Sequence, residues 1–278
     1  MKKDILKIFD RASKIRHFEL EAFKNVKNNN IEIPVYLSAG QEFIASTLSY
    51  IINDKLKIKP LIFAQHRCHS TYINFGGNKK KLIDELLGKP SGINKGLGGS
   101  ASVSSKSINM FGHDGHMGTQ MPIGLGACFA SKKPTIIFLG DASVEEDYVM
   151  SSIAWASFKN LPILIIVEDN NLSILTEKKV RRHWEPSDLA KGLKMKSVNI
   201  TDDPNQILKY KKYFFKQPFL MNIKTTRLFW HAGAGEDNYK RFDRYLSYKK
   251  KLGYKGEIID KENMIYIKNL WAKQLKRQ

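Results

Sequence analysis

The chain has 278 residues, enough for one large α/β domain or at most two small ones. Its 42% hydrophobic and 26% charged residues are typical of a globular protein and exclude a wholly disordered chain. The longest apolar runs, such as 163–167, are too short to span a bilayer. The amino-terminal segment lacks the apolar core of a signal peptide, which predicts a cytoplasmic protein with no membrane partner.

The net charge of +19 is concentrated in residues 205–278, which hold eighteen Lys and Arg against six Asp and Glu. A basic surface suits nucleic acid, an anionic substrate or cofactor, or an acidic partner. The sequence contains no helix-turn-helix, zinc-finger or RNA-recognition signature, so we expect no nucleic-acid partner. Cys68 and Cys128 cannot form a disulfide framework.

The first half of the sequence predicts helices separated by irregular stretches. Apolar residues at helical spacing predict an amphipathic helix near the start. Glycines at 92, 96, 98 and 99 exclude a stable helix in the segment 88–100. The expected elements are helices over 5–15, 41–52 and 79–87, and a buried strand end at 61–64.

The second half predicts a parallel sheet. Two continuous apolar strands, 135–139 and 163–167, are joined by a helix over 144–159, which is the pattern of a βαβ unit. The other expected elements are helices over 120–131, 188–193, 204–216, 239–251 and 262–276, and strands over 195–200 and 219–224. We therefore expect a three-layer α/β/α fold with a mostly parallel sheet. It forms a single domain over 1–278, with a basic helical extension from about residue 235.

Polar residues follow both strands of this βαβ unit. Asp141 lies in the turn 140–143 after the first strand, and Asn170 follows the second. In open parallel sheets ligands bind beyond the carboxyl ends of the strands. Carboxylate and amide oxygens suit a hard divalent cation, and the free N–H groups of Ala142 and Ser143 suit a phosphate. The pattern predicts a diphosphate site bridged by a divalent cation.

These residues also resemble a known motif. Gly140-Asp141, with Asn170 lying 29 residues after Asp141, is similar to the thiamine-diphosphate motif, GDG followed by NN. Five further stretches narrow the resemblance to the α subunit of 2-oxo acid dehydrogenase E1 components of the pyruvate and acetoin type. They are 40–42, 66–69, 95–100, 118–122 and 161–162, in the family's order. The resemblance covers residues 5–245 and implies the diphosphate half of a thiamine-diphosphate-binding fold.

The resemblance implies which residues hold the cofactor and its cation. Asp141 and Asn170 would bind Mg²⁺ through their side chains, and Leu172 through its main-chain carbonyl. Arg67 would pair with the diphosphate, because a guanidinium matches phosphate geometry. The other implied cofactor contacts are His66, which replaces a phosphate-binding Tyr, Gly115 and Met117 beside the aminopyrimidine, and Gly140, Ala142 and Ser143 beside the phosphates.

Three histidines are candidates for catalysis. His231 resembles a family histidine near the diphosphate and the reacting centre. His69 and His116 are candidates for proton transfer or for hydrogen bonding to substrate. The HxxH spacing of 66–69 and 113–116 raises the alternative of zinc, but no clear ligand set surrounds either pair.

Several positions depart from the family pattern. They are Ala142 for a glycine, Asp169 for the first motif asparagine, Tyr36 for a frequent active-site histidine, His116 for an aliphatic residue and Ala232 for a phosphorylatable serine. The substitution at Asp169 leaves open a register in which Asn170 and Asn171 form the motif pair.

The implied function is that of an α-type subunit. Together with a β-type subunit that supplies an activating glutamate from its pyrimidine domain, it would decarboxylate a 2-oxo acid in a heterotetramer. The acyl unit would pass to a lipoyl acyltransferase. The alternative is a transketolase-like carboligase or ketol transferase that acts on a ketose-like substrate with a separate pyrimidine-domain chain.

Overall fold

The structure is a computed structural model that describes residues 2–232, 237 and 241–276. It contains two compact units. The helical unit comprises Met1–Tyr50, Arg67–Ser104 and Arg227–Gln278, and the sheet unit comprises Ile51–His66 and Ser105–Thr226. The single-domain organisation over 1–278 stays a prediction.

The elements follow in chain order. The α-helices are α1 (Lys2–Lys27), α2 (Glu42–Ser49), α3 (His69–Asn74), α4 (Lys79–Leu86), α5 (Gln120–Ser131), α6 (Asp147–Phe158), α7 (Lys178–Arg181), α8 (Pro186–Gly192), α9 (Pro204–Lys209), α10 (Arg244–Leu252) and α11 (Tyr254–Leu275). The strands are β1 (Leu61–Phe63), β2 (Met110–Phe111), β3 (Thr135–Gly140), β4 (Ile163–Asp169), β5 (Leu172–Ser173), β6 (Thr176–Glu177), β7 (Lys196–Thr201) and β8 (Phe219–Lys224). A π-helix over Tyr50–Leu56 follows α2.

Six strands of the sheet unit form one sheet in the order β2-β1-β3-β4-β8-β7, and each neighbouring pair is parallel. This arrangement confirms the predicted α/β fold with a mostly parallel sheet. In the register of β3 and β4, Gly140 lies opposite Glu168. The carboxyl ends of the two strands therefore lie side by side. The polar residues that follow them lie at the same edge of the sheet.

The core of the sheet unit lies between the central strands and the small-residue helix α5. Ile137 and Ile165 are fully buried there with Met121 of α5. A Cβ at Gly124 would lie 2.8 Å from the Ile137 side chain and 2.9 Å from that of Phe63. The absence of a side chain at Gly124 lets α5 pack closely against the sheet.

Two predicted helices are shorter in the structure. The helix predicted over 144–159 begins only at Asp147, after a 3₁₀ turn over Ser143–Glu145. The helix predicted over 204–216 ends at Lys209, and a separate 3₁₀ turn follows. The residues beyond this turn cannot continue a helix, because Phe215 has a φ of +59°.

The carboxyl-terminal helices and the segment after β1 also differ from the prediction. The expected start at Tyr239 lies outside the described residues. Residues 252–261 are mostly helical, and α10 and α11 are separated only at Gly253, where φ is +57°. Residues 69–74, over which no helix was predicted, form α3.

A buried carboxylate organises the glycine-rich segment 92–99 of the helical unit. Glu85 at the end of α4 is fully buried and accepts four backbone hydrogen bonds. Its two oxygens bind the N–H groups of Asn94, Gly96, Gly98 and Gly99 at 2.7 to 3.1 Å. A Cβ at Gly92 would lie 2.5 Å from the Glu85 carboxylate. Close approach of this segment to Glu85 thus explains part of its glycine content.

Glu85→Gln should lower the free energy of unfolding by about 2–4 kcal/mol, because an amide NH₂ replaces one acceptor oxygen and leaves buried donors unsatisfied. Urea denaturation measures this change. Glu262→Gln, at an exposed position of α11, is the matched control and should change stability by less than about 0.5 kcal/mol. Equal effects in the two variants would show that Glu85 does not hold the segment.

Candidate functional site

The turn after β3 places a buried carboxylate at the edge of the sheet. Asp141 is 2% exposed. Burial and the neighbouring Asp169 raise the pKa of Asp141, whereas the nearby Arg181 and Arg182 oppose that rise. The next residue, Ala142, has a φ of −79°, so alanine fits this turn without the left-handed conformation that favours glycine.

A network of hydrogen bonds holds Asp169 at the end of β4. Its carboxylate accepts from the Lys178 ammonium at 2.9 Å, the Asn222 amide at 3.1 Å and the Asn171 N–H at 3.1 Å. Burial alone would raise the pKa of Asp169, but the bonds from Lys178 and Asn222 lower it. Asp169 is thus ionised and engaged by neighbours within the sheet unit.

The loop after Asp169 positions the two further predicted metal ligands. The Asn170 side-chain oxygen accepts from the Leu172 N–H at 3.1 Å, which is a local Asx turn. Asn171 has a φ of +69°, and its carbonyl accepts from the Lys178 N–H at 3.0 Å. The register remains a prediction.

Two arginines that the sequence interpretation did not single out surround the Asp141 turn. Arg181 donates to the Asp141 carboxylate at 2.9 Å and to Glu145. Arg182 donates to the Asp141 main-chain carbonyl, to Glu145 and to the Trp184 carbonyl. The only sequence signal for these contacts is the basic run at 178–182 directly after the metal loop.

The donor set at this edge fits a hard divalent cation. It consists of one carboxylate from Asp141, one amide oxygen from Asn170 and the Leu172 carbonyl, and oxygen donors are those that Mg²⁺ prefers. Among the described residues, no group of three or more His, Cys, Asp or Glu could hold a metal ion. Asp141 would therefore supply the one negative charge among the three proposed ligands. Its carboxylate also forms an ion pair with Arg181.

The segment 113–117 of the sheet unit carries several other predicted residues. Gly115 has a φ of +106° with open space where a Cβ would lie, which permits close approach of a ligand. Met117 is 41% exposed, and its carbonyl accepts from the Tyr148 hydroxyl. The His116 N–H donates to Asp114. The structure also brings the rings of His66 and His113 to a centroid distance of 5.8 Å.

In the helical unit, His69 belongs to a fully buried hydrogen-bonded chain. Its Nδ1 lies 3.2 Å from the Glu19 carboxylate and its Nε2 lies 2.8 Å from the Ser100 hydroxyl. The Ser100 oxygen in turn accepts from the Tyr36 N–H at 2.9 Å. His69 has no exposed surface, so this geometry favours a positioning role over contact with a substrate.

His231 lies in a basic corner of the same unit. The edge of its ring meets Tyr36, with the ring centroids 5.4 Å apart. Arg227 is buried and paired with Asp237 at 2.8 Å, and Arg67 donates to the Leu37 carbonyl at 2.7 Å. Burial, Arg67 and Arg227 together lower the pKa of His231 to about 4. His231 is therefore neutral near pH 7 and surrounded by groups suited to an anion.

The low pKa of His231 predicts a pH dependence of stability. The unfolded chain binds a proton there near pH 6.5, whereas the folded chain does so only near pH 4. The contribution of His231 is thus fully present above pH 6.5 and is lost as the pH falls towards 4. We expect His231→Gln to lose less stability than the unchanged chain between pH 6.5 and 4 in urea denaturation.

An exposed histidine provides the control for this measurement. His183→Gln alters a residue on the surface of the sheet unit, and it should leave the pH dependence unchanged. If the curves of the unchanged chain and His231→Gln run parallel over this range, His231 does not titrate with a lowered pKa.

Together the fold and these contacts define a parallel α/β protein with polar side chains, among them Asp141 and Asn170, directly after two adjoining strands. The family model described as dehydrogenase E1 component matches residues 10–261. The chain therefore belongs to the dehydrogenase E1 component family.

Individual relatives agree with this assignment. The chain is 29% identical over 248 residues to the mitochondrial pyruvate dehydrogenase E1 component subunit alpha of Schizosaccharomyces pombe, covering 83% of this chain and 58% of that protein. It is 26% identical over 266 residues to the corresponding subunit of Rickettsia bellii, covering 90% of this chain and 80% of that protein. The chain thus spans little more than half of the first of these relatives.

A solved structure supports the fold alone. Transketolase from Campylobacter jejuni has a TM-score of 0.58 to this chain at 13% identity, covering 99% of this chain and 49% of that one. Membership of the E1 family supports thiamine diphosphate as the cofactor. No helix in the described part of the chain is long and apolar enough to cross a membrane.

Proposed function

We propose that this chain is the α-type subunit of a thiamine-diphosphate-dependent enzyme that decarboxylates a 2-oxo acid and transfers the acyl unit. The observation that carries the proposal is the oxygen donor set of Asp141, Asn170 and Leu172 at adjoining strand ends in a member of the E1 family. The relatives named pyruvate dehydrogenase favour this function over the carboligase alternative.

The proposed roles of the cofactor-binding residues follow from their chemistry. Asp141, Asn170 and Leu172 would hold Mg²⁺, since all three offer oxygen. Arg67 and His231 would bind the diphosphate, and the positive charge around His231 supports that assignment. Gly140, Ala142, Ser143 and His66 would make further phosphate contacts, and Gly115 and Met117 would contact the aminopyrimidine.

Thiamine diphosphate, when bound, supplies the electron sink that allows the bond between the 2-oxo carbon and the carboxylate to break. The protein supplies binding, orientation and proton control. His231, neutral near pH 7, can accept a hydrogen bond from a substrate or donate one through its ring N–H. His116 is a second candidate for this contact because it lies at an exposed position.

The proposed partners follow from the family resemblance. A β-type subunit would supply the glutamate that activates the aminopyrimidine, in a heterotetramer, and a lipoyl acyltransferase would accept the acyl unit. The basic carboxyl-terminal helices, with Lys250, Lys251 and Lys255 exposed, suit an acidic surface on one of these partners. A cytoplasmic location remains part of this proposal.

A product assay tests the proposed function. The chain, co-purified with a β-type chain from the same genome, is supplied with 2-oxo acids and an artificial electron acceptor. In parallel reactions it receives a ketose phosphate and an aldehyde acceptor. We expect consumption of a 2-oxo acid that requires thiamine diphosphate. Turnover confined to the ketose reaction would instead support the carboligase.

A further inference from the structure

Arg181 makes the contact with Asp141 that a bound cation would need. Its Nη2 lies 2.9 Å from Oδ2 of Asp141, and both side chains are largely buried, 13% and 3% exposed. Its other terminal nitrogen donates to Glu145. Its Nε is buried and has no hydrogen-bond partner among the described residues. Arg181 therefore holds the one carboxylate of the predicted cation site with part of its hydrogen-bonding capacity unused.

The neighbouring Arg182 also has a buried nitrogen, Nη2, with no hydrogen-bond partner among the described residues, but its other contacts are more numerous than those of Arg181. Its Nη1 donates to the Asp141 main-chain carbonyl and to Glu145, and its Nε donates to the Trp184 carbonyl at 3.2 Å. Its guanidinium also lies over the Trp184 ring, 5.1 Å from the centroid. Because these contacts do not involve the Asp141 carboxylate, a cation at that carboxylate would displace Arg181 and leave Arg182 in place.

The charges of this cluster balance before any ligand binds. Asp141 and Glu145 carry two negative charges, and Arg181 and Arg182 carry two positive charges. A divalent cation alone would leave this buried cluster strongly positive, which is costly at low dielectric. A diphosphate that arrives with the cation offsets this excess and offers acceptor oxygens to the displaced guanidinium.

We propose that Arg181 competes with the cation for Asp141 and moves to the phosphate of the cofactor when the cation binds, so that cation and diphosphate bind cooperatively. This inference rests on the proposed function, because it takes the bound ligand to be a diphosphate with a divalent cation. Arg181 is thus a further cofactor-binding residue, one that the family motif does not include.

The test measures Mn²⁺ binding to the full chain directly. Free Mn²⁺ is followed by electron paramagnetic resonance, with and without thiamine diphosphate, in the unchanged chain and in Arg181→Gln. Without the cofactor, Arg181→Gln should bind Mn²⁺ about tenfold more tightly, because the competing charge is gone. The factor by which the cofactor tightens Mn²⁺ binding should shrink by about tenfold, within the usual range of coupling between sites.

Lys179→Gln is the matched control. Lys179 lies on the same helix, α7, and its side chain is 79% exposed beside Glu177. The substitution removes one positive charge, as Arg181→Gln does, so it reports the long-range effect of charge alone. We expect Lys179→Gln to change Mn²⁺ affinity by less than about twofold.

Three results would overturn the inference. They are equal Mn²⁺ affinity in Arg181→Gln and the unchanged chain, an equal gain in Lys179→Gln, and no measurable Mn²⁺ binding in Arg181→Gln. Thermal unfolding shows whether Arg181→Gln folds. If it does not, Arg181→Lys serves instead. It keeps the charge without the planar fork and should tighten Mn²⁺ binding about threefold, and no tightening would again overturn the inference.

The outcomes also separate this inference from the proposed function. If Mn²⁺ binding tightens in Arg181→Gln while thiamine diphosphate fails to bind any variant, competition at Asp141 stands. The transfer to phosphate and the proposed function then both fail. If Mn²⁺ and thiamine diphosphate bind the unchanged chain but Arg181→Gln behaves identically, only the role of Arg181 is wrong.

Discussion

The purified chain alone is expected to turn over 2-oxo acids at less than about one-thousandth of the rate of the assembled enzyme. The reason is that the proposed activating glutamate lies on a separate β-type subunit, and loss of a positioned proton-transfer group costs roughly 10²–10⁴-fold. The described residues form one six-stranded parallel sheet. Its strand ends would provide the half of the proposed site that binds the diphosphate.

The measurement compares the chain alone, the β-type chain alone and the two together, at saturating thiamine diphosphate and Mg²⁺. Reduction of an artificial acceptor reports dehydrogenase activity, and size-exclusion chromatography with light scattering reports the assembly. Full activity of the isolated chain would refute the two-subunit proposal. It would require a glutamate within these 278 residues to activate the cofactor.

Asp141→Asn should weaken the binding of thiamine diphosphate in the presence of Mg²⁺ by roughly 10²-fold or more. The substitution keeps the shape of the side chain but removes the one carboxylate of the donor set, and changes even to residues that support metal ligands cost 10–100-fold. Isothermal titration calorimetry with the cofactor measures this loss. Thermal unfolding confirms that the variant remains folded.

Asp169→Asn is the matched comparison. The Asp169 carboxylate accepts hydrogen bonds from Lys178 and Asn222, so we expect its charge to contribute little to cation binding. The affinity for thiamine diphosphate should fall by less than about tenfold. Stability should fall in this variant, because the half-buried Lys178 loses one of its two carboxylate partners. A larger loss of affinity in Asp169→Asn than in Asp141→Asn would mean that the loop register is shifted.

The central βαβ unit is the part of the fold that the sequence predicts best. The strands around 135–139 and 163–167 are continuous apolar runs, a pattern that fully buried parallel strands require. The helix predicted over 120–131 has the same bounds in the structure, and so does the strand predicted over 219–224. The position of Asp141 and Asn170 beyond the strand ends follows from this pattern, because parallel strands end at the same edge.

Contacts between residues distant in sequence were not predictable in the same way. Arg181 meets Asp141 across 40 residues, and Glu19 meets His69 across 50. No periodicity or local spacing connects these pairs, because the tertiary fold alone brings them together. The four backbone bonds to Glu85 were missed for a related reason, since the glycines of its partner segment indicate an irregular backbone but do not name the acceptor.

The sequence also did not predict a short helix that is formed by polar residues. The segment 69–74 carries His, Ser and Thr, and forms α3 because most of it is buried within the helical unit. Tertiary packing of this kind outweighs weak helix propensity. His69, a candidate for proton transfer or for hydrogen bonding to substrate, is therefore fixed in a buried chain with Glu19 and Ser100.

The central claim is that this chain binds thiamine diphosphate through a hard divalent cation held by Asp141 and Asn170. Titration calorimetry with thiamine diphosphate, performed once with Mg²⁺ and once with EDTA, tests it most directly. Because a partly buried diphosphate needs a counter-ion, we predict clear binding with Mg²⁺ and at least about tenfold weaker binding with EDTA. Equal affinity under the two conditions would contradict the claim.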